Sequence, residues 1–496
     1  MSVQPSMSRS RTSAHANRWL ILTIACLAQF MVVLDATIVN VALPSIQRGL
    51  HFSAASLPWV VNAYTLIFGG FLMLGGRAGD LLGRKRLFAG GVALFALASL
   101  LNGLAQSPAM LIAGRGLQGL GGALLSPAAL SIITTTFTET NERTRALGVW
   151  SAIAAGGGAV GLLLGGALTD LASWPWIFIV NVPVGIATLA LTLRFVPESR
   201  ANLPHRTFDL LGATTVTSGL VVLVYAIIKA QAFGWGSART IGLIAVAVAL
   251  LAAFVAIERR SPAPLVPLGI FRIRTLAVAD GVLLLVASGM FGMFFFASLY
   301  VQEILGYSPL KAGFAFLPLT GGIVVGAGVA QQLIRRLGVR DVSVIGIGLA
   351  AAGLALLTQL PVHGSYSADL LPAFLPLSIG LGLTFVPITL LATGGVKGDD
   401  AGVASGLFNT AQQVGGALGL AILATLAANR TTSLLHGVGA GKSTSAALAA
   451  RVAGYHVAFA AAAMMLAAGA VIMATMLRAR HLRRLELESS PAAIAA

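Results

Sequence analysis

Gly76-Arg77-Ala78-Gly79-Asp80-Leu81-Leu82-Gly83-Arg84-Lys85-Arg86 lies between two apolar runs, 57–76 and 87–105. A bilayer core of roughly 30 Å takes about 20 helical residues, so each run is long enough to cross one. The four basic residues alone fit a connection that obeys the cytoplasmic bias of Lys and Arg. That bias does not account for Asp80, nor for glycines at both ends of so tight a link. Glycine permits close backbone approach and a positive φ. An acid in this place either faces a helix N-terminus or pairs with its basic neighbours. The full spacing reads as a functional motif in a turn between two spanning helices.

The same alternation of apolar run and short polar link continues in both directions. Of the 496 residues, 57% are hydrophobic and 10% charged, against about 25% charged in soluble chains. With 58 glycines and a mean hydropathy of +0.89, the composition is that of a membrane protein. Fourteen apolar runs follow one another, from 19–41 to 454–477. They are continuous rather than alternating, which points to helices and not to a barrel. The first run is too long for a signal-peptide core of roughly 7–15 residues and ends in no small-residue cleavage site, so it is expected to stay in the membrane. The Ser- and Arg-rich head before it is expected to be disordered.

Charge placement tests the count. With the N-terminus inside, cytoplasmic segments hold 24 Lys and Arg and outside loops hold 7, which favours an even number of spans and two cytoplasmic termini in the plasma membrane. The net charge of +16 is therefore a topology signal, and nucleic acid is not the expected partner. The single cysteine, Cys26, sits inside the first run, so no disulfide framework is available. The scattered histidines suggest no metal site. Gly437-Val438-Gly439-Ala440-Gly441-Lys442-Ser443 imitates a phosphate loop, but its spacing is wrong and no strand precedes it, so no nucleotide is expected.

The chain carries an internal echo. Gly148, Gly157, Gly158, Ala159 and Gly161 recur as Gly406, Gly415, Gly416, Ala417 and Gly419, each pair 258 residues apart. Gly83-Arg84-Lys85 is echoed more weakly by Gly338-Val339-Arg340. Repeats of this kind build transporters whose halves rock about a central site. The expected organisation is a cytoplasmic tail at 1–18, a six-helix bundle at 19–197, linkers and two inserted helices at 198–274, a second six-helix bundle at 275–477, and a cytoplasmic tail at 478–496. The fold class is an all-α membrane protein of 14 transmembrane helices in two pseudo-symmetric bundles plus the inserted pair.

Two charges stand out within the runs. Asp35 comes six residues before the end of the first run near Val41, and Arg115 comes six residues into the fourth. At 1.5 Å per residue both lie roughly 9 Å below the outer surface. Opposite charges at matching depth suit a pair, since each alone costs about 2.5–3.5 kcal/mol to insert. Snorkelling of Arg115 to the nearby surface is the alternative. Burial favours the neutral form of a carboxyl and a nearby guanidinium favours the charged form, a balance that suits proton exchange. Asp280 is a further candidate for coupling, or else an interfacial acid. Glu303, Asp209, Asp399 and Asp400 read as loop acids. Gln29, Asn40, Gln118, Asn409, Gln412 and Gln413 either line a cavity or bond between helices. Met290, Phe291, Met293, Phe294, Phe295 and Phe296 form either an adaptable wall or ordinary packing.

Several of these segments resemble one family. The loop G-x3-D-x2-G-R-K at Gly76–Lys85 resembles the signature between helices two and three of the major facilitator superfamily. Leu34-Asp35-Ala36-Thr37-Ile38-Val39-Asn40-Val41-Ala42-Leu43-Pro44 resembles the first-helix signature of its fourteen-helix drug:proton antiporter branch. Ala113-Gly114-Arg115-Gly116-Leu117-Gln118-Gly119 resembles the fourth-helix arginine motif. Trp176-Ile177-Phe178 with Asn181, Pro183 and Gly185 also fits that branch. The likeness runs from residue 19 to about 480. One departure is Leu162, which stands where the fifth-helix antiporter motif has proline between Gly161 and the pair Gly165-Gly166. The glycines preserve close helix packing, while the kink a proline would give is lost.

The resemblance implies a proton-coupled secondary transporter that exports small amphiphilic organic compounds by alternating access, as a monomer without cofactor. It makes Asp35 a proton- or cation-binding acid and Arg115 a modulator of its pKa. Gly76, Asp80, Gly83, Arg84 and Lys85 become part of an inner gate. A cavity between the halves would draw on Asn40, Gln118, Met290, Phe294 and Gln412. The rival within transport is a metabolite importer or facilitator. Outside it stand a membrane enzyme, for which no cluster of catalytic polar residues is found, and a sensor, which needs no internal repeat.

Overall fold

The computed structural model describes residues 8–200, 209–262, 264–394, 396, 401–437 and 444–477. Its elements are α1 (Ser8–Leu50), α2 (Trp59–Leu82), α3 (Arg84–Gly103), α4 (Pro108–Thr136), α5 (Thr140–Leu171), α6 (Trp176–Ile179) and α7 (Asn181–Phe195) in the first half. A hairpin of α8 (Leu210–Phe233) and α9 (Ala238–Arg260) follows. The second half contains α10 (Arg274–Leu299), α11 (Pro309–Ala315), α12 (Leu317–Leu337), α13 (Val339–Leu357), α14 (Leu371–Thr393), α15 (Ala401–Gly437) and α16 (Thr444–Met476). Short 3-10 and π segments lie at Leu268–Arg272, Tyr300–Ile304 and Tyr366–Leu370. Among the described residues fourteen helical stretches are long and apolar enough to cross a membrane, with α6–α7 and α11–α12 each making one crossing.

The halves are built alike. α2 and α3 pack on α4 and α1 packs on α5, as α12 and α13 pack on α14 and α10 packs on α15. In the first pair Gly157 abuts Val33 and Gly161 abuts Thr37; in the second Gly415 abuts Leu284 and Gly419 abuts Ser288. The glycine echo is thus a repeated helix–helix seam, where missing side chains let backbones approach. Gly83 and Gly338 close the corresponding helix ends at φ of 115° and 84°, a region that favours glycine. The inserted α8 lies against both halves: Leu66 of α2, Leu220 and Val224 of α8, and Ala417 and Ala421 of α15 share one apolar cluster.

Three expectations need correction. The head is helical from Ser8, where disorder was expected, and α1 runs through Pro44 to Leu50, nine residues past the end assigned near Val41. Apolar counting marks only the part of a helix that meets hydrocarbon, whereas helices extend beyond it where no residue stops them. Glu303, read as a loop acid, lies in the π-helical turn at the end of α10 and pairs with Arg451 of α16 at 2.9 Å. Asp399, Asp400, residues 438–443 of the phosphate-loop mimic and the tail 478–496 lie outside the described residues.

Call the end carrying both described termini the near face. At the far face the halves touch. A Cβ on Gly166 would lie 2.6 Å from Pro309 O, and one on Gly313 would lie 2.7 Å from Leu162 O, so α5 and α11 meet backbone to backbone. Ser298 Oγ and Gln302 Nε2 reach from α10 and its π turn to the Asn40 and Val41 carbonyls of α1. Elsewhere along the seam Thr410 Oγ1 of α15 donates to Gly69 O of α2 at 3.1 Å.

Candidate functional site

Asp35 and Arg115 meet. Their closest approach is 2.5 Å, from Arg115 NH1 to Asp35 Oδ2, and their side chains are 0% and 1% exposed. α1 continues to Leu50, so Asp35 lies roughly 22 Å from the helix end at 1.5 Å per residue. The pair forms where α1 and α4 pack against each other. Arg115 does not snorkel.

Removing two charges from water is costly unless their remaining hydrogen-bonding capacity is filled. Here it is largely filled. Asp35 Oδ1 accepts from Gln118 Nε2 at 2.7 Å, with Asn181 Nδ2 further off at 3.4 Å. Arg115 Nε donates to Val60 O at 2.9 Å, and NH1 also donates to Gln118 Oε1 at 2.7 Å. The guanidinium lies 4.4 Å from the Tyr64 ring centroid and 5.7 Å from that of Phe178. Gln118 Oε1 takes a second bond from Asn102 Nδ2 at 2.8 Å, and Gln118 Nε2 donates to Ser99 Oγ at 3.0 Å. Ser99 Oγ in turn donates to Phe178 O. Glycines bring the helices close enough: a Cβ on Gly114 would collide with the Asn102 amide, and one on Gly119 with the backbone of Tyr64.

Every member of this network belongs to α1, α2, α3, α4, α6 or α7. The site is the interior of the first half, not the seam between halves. Gln118 was counted among the cavity residues; it is fully buried, and both ends of its amide are engaged around the ion pair. Ser99, Asn102 and Asn181 were not assigned to the site. Ser99 and Asn102 stand three apart in an apolar run, the spacing of one helix face, and that signal was available. Asn181 follows the Trp176-Ile177-Phe178 segment, whose Phe178 walls the guanidinium. Chemically, the cluster holds a carboxylate dry and surrounded by donors.

Asp280 is different. It is 5% exposed on α10, and neither carboxyl oxygen has a hydrogen-bond partner. The register that equates Val33 with Leu284 and Thr37 with Ser288 makes it the counterpart in the second half of Gln29, whose Oε1 accepts from Ser126 Oγ at 2.9 Å. The repeat therefore preserves the seam but not the charges.

The α2–α3 link is a docked structure. Asp80 Oδ1 accepts from Arg84 NH2 at 2.8 Å and Nε at 3.2 Å. The N-terminus of α3 is capped instead by Glu198, whose Oε1 accepts from Lys85 N at 3.2 Å, while Arg84 N donates to Ser199 O and Lys85 Nζ to Leu193 O. Glu198 was not foreseen. Gly83 has φ of 115°, and a Cβ there would lie 2.6 Å from Glu198 Oε1. Gly76 faces only an ordinary 3.7 Å contact with Pro127; the close approach to α4 is made by Gly75, against the Ala123 backbone. Of the antiporter glycines, Gly161 abuts Thr37, Gly165 lies against Ile38 and Gly166 faces the other half.

The remaining cavity candidates are split. The Asn40 amide bonds back to Ala36 O and Thr37 O of its own helix. Met290 and Phe294 are partly buried, Phe294 against Phe316 with centroids 5.9 Å apart. Gln412 is half-buried on α15. Met293, Phe295 and Phe296 are core, with Phe296 against Tyr455 and Phe459. A depression of about 560 Å³ opens at the near face among Arg18, Ile132, Thr135, Arg194 and Ser199, and none of its lining belongs to the Asp35 network.

Residues 25–420 match the family described as Major Facilitator Superfamily. The chain is 42% identical over 483 residues to the puromycin resistance protein pur8 of Streptomyces alboniger, covering 97% of this chain and 95% of that one. It is 41% identical to the cephamycin export protein CmcT of Amycolatopsis lactamdurans, covering 87% of this chain and 89% of that one. Among solved structures, a bacterial homologue of the human lysosomal transporter Spinster, in an inward-facing and unoccupied conformation, aligns with a TM-score of 0.66 and 16% identity, covering 96% of this chain and 99% of that one; this likeness concerns the fold alone.

Proposed function

Because the chain belongs to the major facilitator superfamily, we propose that it exports small amphiphilic organic compounds such as antibiotics, comparable to the puromycin and cephamycin in its relatives' names, in exchange for protons. It is a multi-pass membrane protein of a transporter family, and this reading gives it no enzymatic step. In this reading the near face is cytoplasmic, as the 24-to-7 division of Lys and Arg favours, and the protein works as a monomer.

The observation that carries the reading is the dry Asp35–Arg115 pair enclosed by donors within one half. Such a pair is stable with the carboxyl charged. When the helices shift and Arg115 turns to Gln118 and Val60 alone, the carboxyl takes a proton from outside and releases it inside. A membrane potential contributes about 2.3 kcal/mol per charge per 100 mV, and each pH unit about 1.36 kcal/mol. Asp280 is the second candidate for coupling. The substrate lies between the halves beside Asn40, Met290, Phe294 and Gln412, and the Asp80–Arg84 link belongs to the inner gate.

The test is uptake of substrate into inverted vesicles with an acidic interior, where an exporter accumulates substrate as protons leave. Asp35→Asn is expected to abolish the gradient-driven part. Undiminished uptake by that variant overturns the coupling role. Leu162 is the observation that keeps an importer in view, since the proline of the antiporter motif is missing; substrate leaving the same vesicles as protons leave would favour that reading.

A further inference from the structure

Pro44 lies inside α1 and has no N–H to give to the carbonyl one turn earlier, that of Asn40. A carbonyl left unpaired where two helices pack is costly, so another donor is favoured there. That donor comes from the other half. Ser298 Oγ of α10, on a fully buried residue, lies 2.6 Å from Asn40 O. One turn on, Gln302 Nε2 donates to Val41 O at 2.8 Å and to Ser298 Oγ at 3.1 Å. Gln302 sits in the π-helical turn Tyr300–Ile304, and the next residue, Glu303, is fastened to α16 by Arg451 and by Tyr455 Oη at 3.3 Å. The donors are therefore fixed to the second half and the acceptors to the first.

We propose that Pro44, Ser298 and Gln302 form an outer latch, in which a carbonyl freed by proline in one half is held by a hydroxyl of the other while the outer face is shut. The latch rests on the alternating-access reading above and adds positioning residues to it. When the halves part at this face, water replaces the Ser298 hydroxyl, and the closed state loses the contribution of the bond. Because donor and acceptor are both neutral, the latch has no pH response of its own. The proton input stays at Asp35, five residues earlier on the same helix, so one rigid element carries both the titrating group and the acceptor of the gate.

Spin labels at Ala54→Cys and Lys311→Cys, in a Cys26→Ser chain in lipid bilayers, report the separation of the two halves at the outer face by pulsed electron resonance. Ser298→Ala is expected to raise the ratio of long to short distances by about fivefold, the size of one interfacial hydrogen bond. Ser298→Thr, which keeps the hydroxyl, restores the original ratio. In a Pro44→Ala chain Asn40 O regains a helical donor, and Ser298→Ala then shifts the ratio less than about twofold. Should Pro44→Ala fail to fold, Gln302→Leu serves instead, with a smaller shift than Ser298→Ala because Val41 O is not the carbonyl that proline frees. A wild type with two distances and an unshifted Ser298→Ala overturns the latch alone, as does an equal shift with and without Pro44. A single short distance in every variant and at every pH overturns alternating access with it.

Discussion

Arg115→Met separates the ion pair while keeping a long apolar stem in the site. The substitution removes the donor at 2.5 Å from Asp35, the bonds to Gln118 Oε1 and Val60 O, and the cation over Tyr64. Asp35 is left fully buried with Gln118 as its near donor and Asn181 at 3.4 Å. Breaking a buried pair from one side costs about 3–5 kcal/mol. The carboxyl has one escape, which is to fold in its neutral form. For an ordinary carboxylic acid at pH 7 that costs about 4 kcal/mol, close to the same figure. Both routes predict a loss of about 3–5 kcal/mol, read as a fall in the midpoint of reversible denaturation in mixed micelles. They also predict a pH signature: by the neutral route the penalty shrinks by about 1.36 kcal/mol for each unit of acidification. The double variant Asp35→Asn/Arg115→Met leaves no charge to strand and is expected to recover more than half of the loss. A single-variant loss below about 1 kcal/mol, or a double variant no better than Arg115→Met, refutes the claim that the pair is dry and mutually dependent.

The other expectations concern glycines and acids. Gly83→Ala forces a side chain into φ of 115° and onto Glu198, and is expected to cost about 1–3 kcal/mol, whereas Gly76→Ala, with 3.7 Å of room, stays within about 0.5 kcal/mol; equal melting shifts contradict the geometry. Gly161→Ala drives a methyl into the Thr37 hydroxyl and is expected to lower thermal stability by about 1–3 kcal/mol; an unchanged melt shows that the α1–α5 seam is looser than described. Asp80→Asn keeps the fold but slows turnover in vesicles, and normal export by a well-expressed variant removes the link from the gate. Asp280→Leu loses no hydrogen bond and is expected to leave stability unchanged or raised; retained proton-driven transport in that variant removes Asp280 from the coupling set.

What the sequence determined by itself was everything carried by length, polarity and spacing. Twenty-residue apolar runs must be helices in lipid, because no other solution satisfies the backbone along a single segment. The Lys and Arg asymmetry indicated an even number of spans, and the spacing of Gly157, Gly161, Gly415 and Gly419 marked the two repeated seams before any contact was known. The charges at Asp35 and Arg115 were conspicuous because a lone charge in hydrocarbon is expensive. Tertiary structure decided what those charges touch. Gln118 turns inward rather than toward the seam, Ser99 and Asn102 complete its bonds, and Glu198 caps a helix 113 residues away in sequence. Neutral polar residues that find a hydrogen-bond partner cost little, so their placement leaves little mark on hydropathy. Which partner fills a hydrogen bond depends on how two helices cross and rotate, and that is set by the packing of the whole bundle.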